Sequence, residues 1–201
     1  MHPCYFSRVS EATPSVAAAV SAYRRHANVA ALHEQLAIAA EAASVEELIA
    51  AAEPFRDIPE VTGPLYERVV AAQPNNARAL VILASAYWMA GRGPEAVGQL
   101  VARALAADPH HQGAWHLWAI TEADPRDRMS RWQQVHKRFP ADELALAALA
   151  DNAASLAGAE HDPVALGIAL DAYVALRKRA TLPEQQTALD NAISTLKNWK
   201  L

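Results

Sequence analysis

The sequence predicts an all-α protein, a succession of short amphipathic helices folded back on one another, and three observations carry that reading. Alanine supplies about a quarter of the 201 residues while glycine totals 7, a balance that favours helix over strand. Prolines and glycines fall at the edges of segments one to two dozen residues long, each with apolar residues three and four apart. Alternating β-branched segments of strand length are missing.

The first helix is expected from Ser15 to Asn28 and a second from Val29 to Ala43, with residues 1–14 as a flexible N-terminus. Ser44-Val45-Glu46-Glu47 is a capping box: the serine hydroxyl accepts from the amide three residues on, and the glutamate reaches back. A helix to Glu53 follows. Pro59 opens the next, which carries Leu65, Tyr66, Val69 and Val70 and stops at Pro74. Asn75-Asn76 caps a helix over Ala77–Ala90, and Gly91 stands where a left-handed residue ends it. Pro94 begins its partner, which runs to Ala107 before Asp108-Pro109. A further pair covers Gly113–Glu122 and Asp127–Phe139, another Asp142–Leu156 and Pro163–Ala180, and Pro183 opens a terminal helix to Asn198.

Short helices ended repeatedly by proline raise the question of a period. The segment Ala77–Pro109 places Leu80, Leu83, Ala84 and Tyr87 on its first helix, Gly91 at the turn, and Ala96, Leu100, Ala104, Leu105 and Pro109 on and after its second. In this it resembles a tetratricopeptide repeat. Tyr66, Val70 and Pro74 match the second helix of a preceding copy, and Trp115, Trp118 and Ala119 the first helix of a following one. After Asp142, residues Leu144, Ala148, Ala169 and Tyr173 fit, Asp151 stands where an aromatic is expected, and an insertion around Gly158–Asp162 separates the helices. The resemblance covers residues 44–180, with helices 15–43 before the array and a capping helix over 181–201 after it. It implies a right-handed stack of about four antiparallel hairpins. Small residues at Ala84 and Ala96 allow the close helix crossing, and neighbours must stack because one hairpin cannot cover its own apolar faces.

A net charge of −4 gives no global basic field for nucleic acid or an anionic membrane. The single cysteine, Cys4, rules out an internal disulfide or a thiolate metal cage, which points to a reducing compartment. The N-terminal residues contain no apolar run of signal-peptide length, and no stretch is long enough to span a bilayer, so a cytoplasmic protein is expected.

Catalytic motifs are missing: the sequence holds no phosphate loop, zinc-helix motif, nucleophile elbow or Cys-x-x-Cys pair. Gly91-Arg92-Gly93-Pro94-Glu95-Ala96 satisfies a dinucleotide-binding pattern, but a helix precedes it where that motif needs a buried strand. His110, His111 and His116, with His136 or Asp108 as further ligands, lack a spacing that forces convergence on a metal. Glu46-Glu47 and Asp142-Glu143 fall in first helical turns, where the helix dipole favours negative charge. The protein is therefore expected to perform no chemistry itself and to take no cofactor or metal.

Five tryptophans are generous for this length. Trp132 shares a face with Met129, Val135, His136 and Phe139 and reads as core, and Trp115 and Trp118 pack between hairpins. Trp88 follows Tyr87 by about 100° of helical turn and so points away from the seam that takes Tyr87, either into open solvent or beneath a neighbouring hairpin or the terminal helix, since array ends need caps. The resemblance implies that this direction faces a concave groove lined by Arg78, Val81, Ser85, Trp88 and His116. It also implies a protein or peptide partner. The carboxylate-clamp subclass uses lysines and asparagines at groove positions; here only Arg78 fits, and a mixed apolar and basic groove suits an amphipathic or extended peptide. Two readings of other classes stand beside it. One is a helical repeat contacting nucleic acid through Arg126, Arg128, Arg131, Lys137, Arg138 and Arg177-Lys178-Arg179. The other is an all-α enzyme whose pocket is assembled in space.

Far-UV circular dichroism is expected to show a predominantly helical protein. A sheet contribution above a few per cent would contradict the fold class.

Overall fold

Proline, asparagine, serine and aspartate at helix starts set the segmentation of the chain, because a helix leaves its first amides without backbone partners. The computed structural model describes residues 12–200. These form α1 (Ala12–His26), α2 (Val29–Glu41), α3 (Val45–Ala52) with a 3-10 turn at Glu53–Phe55, α4 (Pro59–Ala72), α5 (Ala77–Met89), α6 (Pro94–Ala107), α7 (Gln112–Ile120), α8 (Pro125–Arg138), α9 (Glu143–Glu160), α10 (Pro163–Arg179) and α11 (Pro183–Lys197), with no strand among the described residues. The fold is all-α. The expected flexible N-terminus and Cys4 lie, through residue 11, outside the described residues.

The caps at Ser44 and Asn76 are those the sequence announced, whereas α8 opens at Pro125 behind Asp124, two residues ahead of the expected Asp127. Ser44 Oγ accepts from Glu47 N at 3.2 Å while Glu47 Oε2 accepts from Ser44 N at 2.8 Å. Asn76 Oδ1 accepts from Ala79 N at 3.0 Å, and Asp124, Asp142 and Asp162 each accept from two amides of the helix they open. Gly91 (φ 68°) and Gly93 (φ 86°) make the left-handed turn from α5 into α6, so the Gly-Arg-Gly pattern is a hairpin turn between two helices. The expected insertion at Gly158–Asp162 takes another form: α9 continues to Glu160, His161 ends it in the left-handed region (φ 54°), and Asp162 starts α10. The extra residues lengthen α9 instead of forming a loop.

The chain divides into two compact units between Ala114 and Trp115, within α7. In the first unit α1 packs on α2 and α3, α4 on α2, α3 and α5, and α5 on α6. Its core holds Leu32, Leu36, Leu65, Tyr66, Leu80 and Val97, all almost fully buried. In the second unit α9 packs on α8 and α10, and α10 on α11. Its core joins Trp132, Val135, Leu146, Leu149 and Leu156 to a run of buried alanines. Trp199, just after α11, reaches Gly158 so closely that a Cβ there would lie 3.2 Å from the indole ring. Among the described residues no helix is long and apolar enough to cross a membrane.

At the α5–α6 crossing Ala84 is fully buried, whereas Ala96 is half-buried and its neighbour Val97 occupies the interior. Ala84→Leu is expected to cost about 1–3 kcal/mol by overpacking, and Ala96→Leu distinctly less. Gly63 is buried in α4, yet a Cβ built there meets nothing within 4 Å. Gly63→Ala should therefore raise stability by about 0.5–1 kcal/mol, through helix propensity and a filled gap. Denaturant midpoints of the three variants check both expectations.

Candidate interaction site

Arg78, Val81, Ser85, Trp88 and Met89 fall within a sector of about 100° on α5. Each has been given a different task by its surroundings. Arg78 is exposed and has no hydrogen-bond or ion-pair partner among the described residues. Val81 is half-buried, its Cγ1 beside Gly113, where an added Cβ would approach to 3.2 Å; glycine at that position lets the start of α7 lie against α5. Ser85 Oγ donates to Val81 O at 2.9 Å, so its hydroxyl is turned onto its own helix. Trp88 and Met89 are 39% and 50% exposed, an indole and a thioether presented to water together.

The neighbouring Tyr87 faces the other way, towards α4. Its hydroxyl donates to Glu67 Oε1 at 2.7 Å, Arg92 Nη1 reaches the same oxygen at 3.2 Å, and the Arg92 guanidinium lies 4.2 Å from the ring centre. Partial burial, followed by the Glu67 carboxylate, pushes the Tyr87 hydroxyl above its ordinary value. Tyr87 is thus half-buried in a polar clasp instead of lying fully in the core, while Trp88 is the outward member of the pair.

His116 belongs to the second unit and is held there. Its Nε2 meets Asp142 Oδ2 at 2.5 Å, and the imidazole lies 5.6 Å from the Trp132 ring. Asp142 is buried and uses Oδ1 to cap α9 through Leu144 N and Ala145 N. Residue types alone showed the cap but gave no signal for its histidine partner, because His116 and Asp142 are 26 positions apart.

The arginines considered for nucleic acid are occupied within the second unit. Arg126 pairs with Glu160 at 2.5 Å and Asp162 at 2.8 Å. Arg128 donates to Asn152 Oδ1 and Glu122 O, and Arg131 to Trp118 O and the Glu122 carboxylate while stacking 4.7 Å over Trp118. Arg138 lies 4.9 Å over Trp115, Arg177 pairs with Asp190, and Arg179 donates to Pro140 O. Trp115 and Trp118 meet edge to face at 5.2 Å. Asp151, at the position where an aromatic was expected, accepts from the Tyr173 hydroxyl at 2.6 Å, and burial together with that carboxylate pushes the phenol upward. Asp162 is held below the usual carboxylate range, first by the Ala165 amide and then by Arg126. Among the described residues no three His, Cys, Asp or Glu side chains gather as a metal site would require.

Asp142→Ala removes a helix cap and leaves His116 without its acceptor. A loss of about 2 kcal/mol is expected in chemical denaturation, whereas Asp142→Asn, which keeps the capping oxygen, should lose less than half of that.

No family model matches the chain, and no curated protein matches it. Solved structures do. The crystal structure of MamA superposes with a TM-score of 0.60 at 16% identity over 79% of this chain and 94% of that one. TTC0263, a thermophilic TPR protein in Thermus thermophilus, superposes with a TM-score of 0.56 at 14% identity over 94% of this chain and 100% of that one. At such identities the likeness is one of fold, that of an all-α helical repeat.

Proposed function

We propose that this protein is a cytoplasmic interaction scaffold that holds a peptide or a partner helix against the outward face of α5. The contact residues are Arg78, Trp88 and Met89, with the half-buried Val81 and Ser85 between them as the floor of that face; His116 is left out because Asp142 engages its ring. One observation carries the reading. Adjacent aromatics on one helix are treated oppositely, Tyr87 being clasped by Glu67 and Arg92 while Trp88 is presented to solvent beside Met89. An exposed indole next to an adaptable thioether is the composition of a contact surface, where tryptophan supplies much of the binding energy. Arg78 stands about 15 Å along the helix from Trp88 and offers an unpaired cation to a carboxylate. The helical-repeat fold supports a scaffold role, since such arrays present extended surfaces. A protein partner is favoured over nucleic acid because the arginines of the second unit are engaged by its own side chains and carbonyls.

Tyr87→Ala should destabilise the protein by about 2–4 kcal/mol. Trp88→Ala should cost under about 1 kcal/mol of stability and weaken partner binding by about 2 kcal/mol. Arg78→Ala should act mainly by slowing association. The measurement is a pair of denaturation curves beside a binding titration with a partner that the intact protein captures. Equal stability losses for the two aromatic variants, or unchanged binding by Trp88→Ala, would overturn this site.

A further inference from the structure

A second surface of the first unit lies away from α5, in the trough between α2 and α4. A cleft of about 320 Å³ opens there, floored by Leu36, Ala37, Ala40, Pro64, Leu65 and Ala71 and edged by His33, Glu67 and Arg68. Pro64, inside α4, contributes an apolar ring to the floor. Volumes of this order, near ~300 Å³, take a few bulky apolar groups. A trough between two packed helices is also the kind of groove into which a third helix can lay its apolar face.

The charges around the cleft are unequal. Glu67 is satisfied: its Oε1 receives the Tyr87 hydroxyl at 2.7 Å and Arg92 at 3.2 Å, so its charge is answered from the α5 side. Arg68 and His33 are exposed and have no hydrogen-bond or ion-pair partner among the described residues. Glu34 and Glu41, the other acids of α2, do not line the cleft. The trough therefore combines an apolar floor with a rim whose only unanswered full charge is positive.

We infer that the α2–α4 cleft is a second docking site, for a helical protein segment that inserts a leucine or phenylalanine flanked by glutamate or aspartate. The apolar side chain enters over Ala37, Ala40 and Leu65, and the flanking carboxylate pairs with Arg68. This site is independent of the α5 surface and stands whether or not that surface binds a partner.

The probe is a synthetic helical peptide with a Leu-Phe pair flanked by glutamates, followed by fluorescence anisotropy of a dye on its end. Its counterparts carry lysine for glutamate, or alanine for the Leu-Phe pair. The full-length protein should bind the first peptide and, by about tenfold or more, prefer it to either counterpart, the scale of losing one charge-assisted or anchoring contact. Arg68→Glu should weaken the acidic peptide by about tenfold and improve the lysine peptide. Ala37→Leu should fill the trough and weaken both. Both substitutions sit on exposed helical positions, and unchanged dichroism and melting temperature verify that the variants fold. Trp88→Ala should bind the acidic peptide as the parent does. Absence of binding by the parent protein, equal binding of the acidic and basic peptides, parental binding by Arg68→Glu and Ala37→Leu, or loss of binding in Trp88→Ala would each overturn the inference.

Discussion

Close helix contact through alanine is the constraint on which this structure rests. Ala51, Ala52, Ala84, Ala104, Ala145, Ala150, Ala153, Ala157, Ala165 and Ala169 are all fully buried. A residue with no side chain beyond Cβ lets two helix backbones approach, and it gives up no rotamer entropy in doing so. Each buried alanine also removes little apolar area from water, on the order of one methyl group's worth of stabilisation. The larger contributions come from the leucines, valines and aromatics beside these contacts, so the position of every large side chain depends on where the alanines permit the helices to meet. That is why the crossing at Ala84 tolerates so little added volume.

The two units meet this constraint differently. In the first, Leu32, Leu36, Leu65, Tyr66 and Leu80 fill the space between helices. In the second, alanine dominates the meeting of α9 and α10, and a set of arginines ties α8 to its surroundings: Arg126 to Glu160 and Asp162, Arg128 to Asn152, Arg131 to Trp118 and Glu122. Exposed ion pairs of this kind contribute about 0–1 kcal/mol each, so their weight lies in fixing helix register more than in net stability. Arginine suits the task because its planar head accepts an aromatic face on one side while donating in several directions. The same groups would have to be released before they could grip a nucleic-acid backbone.

The surface that such a protein leaves open to a partner is what packing leaves over. On α5 the side chains drawn into the fold are Val81, held beside Gly113, Ser85, bonded to its own helix, and Tyr87, clasped from α4. Arg78, Trp88 and Met89 remain outward. The trough between α2 and α4 is left over in another sense: its floor is core-like, and its rim keeps one arginine with no internal acid to meet it.

The sequence by itself determined the all-α class, nearly every helix start and the Ala77–Pro109 hairpin, because caps, prolines and the helical period act over three to five neighbouring residues. It also separated Tyr87 from Trp88, since a single residue step turns the helix by about 100°. What it could not determine were the meetings of residues far apart in the chain. His116 was expected on a binding surface and is held by Asp142, and Asp151 replaces an aromatic and is answered by Tyr173. The residues around Gly158 looked like a break and became a continuation of α9, with Trp199 laid over the glycine. These outcomes were decided by tertiary structure because a polar or aromatic side chain takes whichever partner the packed helices bring within reach, and that distance has no local signature.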